Sequence, residues 1–108
     1  MSEPSMYGRF PVQFALIDEN AQANNEIVAA VSGKRIRVVS FFVVAAAANS
    51  ITWKSATTAI AGPMALAQNG GVSAEAEVGL CETAMGEALN LALSAATQVG
   101  GGVAYTLT

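Results

Sequence analysis

The sequence predicts an all-β domain, a sandwich of jelly-roll type with about eight antiparallel strands. Three observations carry that prediction. Apolar and polar residues alternate with period two over several short stretches. Turn residues recur about every ten positions. Where helix formers dominate, in GEALNLALSAA (86–96), Leu89, Leu91 and Leu93 still fall at i, i+2 and i+4, a strand face rather than a helix stripe.

Residues 1–9 mix Ser, Pro, Glu and Gly without pattern and read as an N-terminal arm; 10–108 read as one domain. In FPVQFALID, Phe10, Val12, Phe14 and Leu16 share one face, and Pro11 marks an edge strand. DENAQANN follows as a polar loop. NEIVAAV (25–31) is a short strand closed by the turn dipeptide Ser32-Gly33.

KRIRVVSFFVVAAAA (34–48) is the strongest segment. Strict alternation puts Ile36, Val38, Ser40, Phe42 and Val44 on one face, and Arg35, Arg37, Val39, Phe41 and Val43 on the other. From residue 38 onward both faces are apolar, and such a strand requires cover on both sides. A two-layer sandwich of this size covers one. Val39, Phe41 and Val43 are therefore expected in an oligomer interface, with residues 10–17 of the same chain as the alternative cover. Lys34, Arg35 and Arg37, three of the five cations, form a positive strand entrance, exposed to solvent or paired with an acidic patch on a partner.

Asn49-Ser50 reads as a turn. ITWKS (51–55) is a strand with Ile51 and Trp53 inward, and Trp53 is expected to be buried with Phe42. Ala56–Thr58 connects to AIAGPMALA, where Gly62-Pro63 demands a kink or bulge. Asn69-Gly70-Gly71 signals a hairpin turn. VSAEAEVGLCETA alternates weakly, with Glu75 and Glu77 on one face. Gly100–Gly102 reads as a turn into a last strand, VAYTLT (103–108).

Composition limits function. Of 108 residues, 53% are hydrophobic, 12% charged, and none is His. Soluble domains usually carry about 25% charge. Twenty-two alanines soften the apolar excess, yet a surface this poor in charge favours association. Net charge −3 argues against a nucleic-acid partner. The longest apolar run, Val38–Ala48, is broken by Ser40 and too short to span a bilayer. MSEPSMYGRF lacks the charged head and apolar stretch of a secretion signal, so synthesis in a reducing cytosol is expected.

Catalysis has little to work with. The commonest general base is absent. The single cysteine, Cys81, has no histidine to activate it and reads as a small buried hydrophobe. Glu75 and Glu77 offer a carboxylate pair that reads better as a solvent face. Asp18, Glu19 and Glu26 lack the regular ligand spacing of a calcium site. The glycine runs match no phosphate-binding pattern. Trp53, Tyr7 and Tyr105 offer a sugar-stacking platform, with core packing the stronger reading for Trp53. No catalytic residue, metal or cofactor is expected.

Three segments resemble a family. SGKRIRV (32–38), the turn Ala61-Gly62-Pro63 and TAMGEALNL (83–91), within a likeness covering about residues 25–108, resemble small virion proteins of tailed bacteriophages. These are capsid decoration, cement or head-fibre proteins. The family usually has an aromatic residue where Cys81 stands, which puts any role for an aromatic there in doubt. The resemblance implies a β-sandwich, often trimeric, on the outside of a virion. Its expected partners are further copies of itself and the major capsid protein or another virion protein. The alternative function is a receptor- or glycan-binding module of a fibre or head spike.

Overall fold

The structure, a computed structural model, describes residues 11–108. The expected arm, residues 1–9, lies outside them. Among the described residues there are nine strands: β1 (Gln13–Glu19), β2 (Ala23–Val28), β3 (Ile36–Ala45), β4 (Asn49–Ser55), β5 (Thr58–Leu66), β6 (Gly71–Glu75), β7 (Cys81–Glu82), β8 (Leu89–Leu93) and β9 (Val99–Leu107). One sheet has the order β1-β9-β3-β6, with β7 also on β3; the other has the order β2-β8-β4-β5. All pairings are antiparallel.

β6 and β7 both pair with β3, and so occupy the place of one interrupted strand. The pairings are then nested: first with last, second with second-last, third with the β6/β7 position, fourth with fifth. Nested pairing folded over into two sheets is the jelly roll the alternation predicted.

The core forms between the sheets. Ile17, Val43 and Val103 come from one side, and Ile51, Trp53, Leu89, Leu91 and Leu93 from the other, all buried. β8 keeps its leucines inward with period two, as the spacing required. The described residues bury sixteen hydrophobic side chains and five polar ones, Asn25, Asn49, Ser55, Thr83 and Thr106, and none that is charged, so the interior rests on apolar burial and hydrogen bonds.

Several expectations need correction. β3 does not alternate strictly, because Val38 pairs with Tyr105 and Ser40 with Ala104. Val39 is therefore an extra residue, a bulge, and it reverses the facing of everything after it. Ile36 and Val38 point inward before it; Phe41, Val43 and Ala45 point inward after it. Trp53 accordingly packs against Phe41, not Phe42.

Asn49-Ser50 opens β4 instead of making a turn, and the polar loop before β2 shortens because pairing with β8 resumes at Ala23. The turn at Asn69-Gly70 carries the chain from β5 in one sheet to β6 in the other, so it closes no hairpin. Gly100–Gly102 lie inside β9, paired on both sides. The kink at Gly62-Pro63 is present: Ile51 pairs with Met64 and Trp53 with Ala61, which leaves an extra residue in edge strand β5.

Candidate functional site

The bulge at Val39 builds an unusual surface. With Phe41 and Val43 turned inward, Phe42 and Val44 turn outward, 60% and 53% exposed. Across β9 lies β1, where Ile17 is the fully buried residue and Phe14 and Leu16 face out, 80% and 73% exposed. The register aligns these residues in three outward rows: Phe14–Ala104–Ser40–Glu75, Leu16–Gly102–Phe42–Ser73, and Asp18–Gly100–Val44–Gly71.

Between the β1 and β3 rows the floor is glycine. A side chain at Gly101 is barred, since a Cβ there would lie 1.9 Å from the Phe42 carbonyl oxygen. Gly102 is tight from the other side, its Cβ position 3.2 Å from the Phe42 ring. The result is a groove of about 330 Å³ lined by Phe14, Leu16, Phe42, Gly101, Gly102 and Ala104, among others. Two apolar ridges flank it. Charge enters the rows only at two corners, Asp18 and Glu75, and Asp18 accepts a 2.6 Å hydrogen bond from Gln98 Nε2.

The interface residues expected from strict alternation divide. Phe41 and Val43 belong to the core of the single chain and are not available to a partner; Val39 is half-buried at the bulge. It lines a second hollow of about 150 Å³ with Val12, Arg37, Ser40, Glu75, Glu77 and Thr106. Phe42 and Val44 are not legible as outward residues because the bulge has no signature in the letters, whereas Phe14 and Leu16 share one face of β1 as their spacing predicts, and that face is the outward one, with Ile17 on the buried side.

The cationic trio also divides. Arg37 Nε donates to Glu82 Oε1 at 2.7 Å, and Arg35 Nε stands 3.8 Å from Glu82 Oε2. Both arginines thus face a carboxylate of the same chain, on neighbouring β7; Lys34 is exposed. Cys81 is half-buried, and desolvation pushes its thiol up from 9.0 to about 11.

The remaining candidates do not converge. Glu75 and Glu77 share the smaller hollow with the Arg37 side chain. Among the described residues no three His, Cys, Asp or Glu side chains are grouped as metal ligands would be. Trp53 is fully buried, so it presents no face for stacking, while Tyr105 is half-buried and Tyr7 lies outside the described residues.

No known protein family and no curated protein matches the chain. Among solved structures, the chain is similar to one chain of a cyanophage Pam1 capsid asymmetric unit, at 13% identity and a TM-score of 0.59. The likeness covers 100% of this chain and 93% of that one, so two domains of nearly the same size share one fold from end to end.

Proposed function

We propose that this chain is a structural virion protein, a capsid decoration or cement subunit that assembles as a homotrimer and binds the outside of a phage head. The observation that carries the reading is the end-to-end likeness to a chain of a cyanophage capsid asymmetric unit. Chemistry supports it: histidine is absent, and the described residues expose an apolar sheet face. Its role is structural rather than catalytic. It is made in the host cytoplasm and resides on the capsid surface, against the major capsid protein or another virion protein.

The test uses heads of the phage whose genome encodes the chain, stripped of loosely held proteins. Tagged protein added to them should co-sediment through a density gradient and remain bound at moderate salt. A chain that stays at the top of the gradient ends the reading.

A further inference from the structure

We propose that the outer face of the β1-β9-β3-β6 sheet is where a second copy of this chain packs, the β1 ridge of one copy seating in the glycine-floored groove of the next. The proposal rests on the self-association part of the preceding reading and names the surface responsible.

Area is the first argument. Phe14, Leu16, Phe42 and Val44 together leave roughly 450 Å² of surface in water, within the roughly 300–600 Å² of the largest patch on a typical monomer, a size that is often functional. Each side of a standard protein interface buries about 800 Å², so the patch supplies over half of one. The serines and alanines of the same rows supply more.

Shape is the second. β1 and β3 are next-but-one neighbours, so their ridges stand roughly 9–10 Å apart, the width of one row of side chains. The groove between them, about 330 Å³, accepts side chains the size of Phe14 and Leu16. One face thus carries both the projecting and the receiving element. A surface that packs against copies of itself needs both.

Charge is the third. A chain of net charge −3 that meets itself must keep like charges apart. The two carboxylates of the three rows, Asp18 and Glu75, sit at opposite corners and no cation lies within the rows, while Arg37 in the adjoining hollow pairs with Glu82 of the same chain. Nothing inside the patch would select an oppositely charged partner. An equally neutral apolar face suits it, and the same chain provides one.

The experiment measures mass by light scattering, from about 10 to 200 μM, for wild type, Leu16→Glu, Phe42→Glu and the control Val78→Glu. Val78 is exposed in the turn after β6, off the face. Circular dichroism melts are run on each. The expected result is an oligomeric wild type and control, with both face variants reduced to folded monomers. Face variants that keep the wild-type mass overturn this surface while leaving self-association intact. A wild type that is monomeric throughout overturns both; if it still co-sediments with heads, the virion reading survives. Should Phe42→Glu fail to fold, Leu16→Glu on the edge strand decides alone. Unfolding of both variants would mean that the face is not outward, and would also overturn the proposal.

Discussion

Phe41 and Trp53 meet edge to face across the interior, ring centroids 5.5 Å apart and planes at 75°. Phe41 belongs to β3 of one sheet and Trp53 to β4 of the other, so this contact ties the two layers at mid-core. Edge-to-face geometry sets the positive rim of one ring against the negative face of the other. Trp53→Ala should cost about 3–5 kcal/mol, through lost burial and the cavity left behind. Thermal and urea melts measure it. A variant that melts with wild type would show that the indole is not part of the core.

Gly101 and Gly102 are adjacent in β9 but differ in what they tolerate. A Cβ at Gly101 meets a backbone carbonyl, which cannot move without breaking the ladder, whereas one at Gly102 meets the end of the Phe42 ring, which can turn aside. Gly101→Ala should therefore destabilise the fold by about 2–4 kcal/mol or prevent folding, and Gly102→Ala should stay within about 1 kcal/mol of wild type. Urea midpoints of the two variants test the contrast. Equal midpoints would refute it.

The strand periods and turn residues held enough information to predict the jelly roll, because period-two burial at Leu89, Leu91 and Leu93 leaves a helix no consistent face. The surface was less legible, and for one physical reason. A bulge changes facing without changing composition, so Val39 reads as one more β-branched strand residue while it inverts Phe41 through Ala45. Glycines mislead in the same way. Gly100–Gly102 have turn chemistry, but Gly101 is required inside a strand by the approach of the Phe42 carbonyl, a contact 59 positions away in sequence. That β3 is apolar on both faces was readable; which of its side chains stand outward was not.

Cys81 should behave as a poorly reactive thiol. Desolvation raises its pKa from 9.0 to about 11, and the thiolate is the reactive form. Near pH 8, alkylation of the native protein should run about a hundredfold slower than that of the urea-unfolded chain, and the native rate should keep rising past pH 9. Timed labelling followed by mass spectrometry gives both rates. Equal rates folded and unfolded would show that the thiol is solvated.

Asn49 opens β4 with a buried side chain that holds the β8–β9 connection. Its Nδ2 donates to the Ala95 carbonyl at 3.1 Å and to Thr97 Oγ1 at 2.9 Å, while its Oδ1 accepts from the Ser94 and Ala95 backbone amides at 3.0 and 3.2 Å. Asn49→Ala removes these four bonds together with a 3.4 Å bond from Nδ2 to the Thr97 carbonyl and a 3.1 Å bond from Ser94 Oγ to Oδ1. Ser94 keeps an alternative acceptor in the Ser50 carbonyl, but the Ala95 amide loses its partner. The expected loss is about 2–3 kcal/mol. Asn49→Asp separates the donor from the acceptor role: it preserves the acceptor but sets an oxygen against Ala95 O and Thr97 O, where an amide had stood. Both variants should therefore lower the urea midpoint, Asn49→Asp through the oxygens it sets against the two carbonyls and Asn49→Ala through the bonds it lacks. Urea melts of wild type and both variants at neutral pH measure the losses. Variants that unfold with wild type would mean that the side chain at position 49 is solvated, and that the connection is held by other contacts.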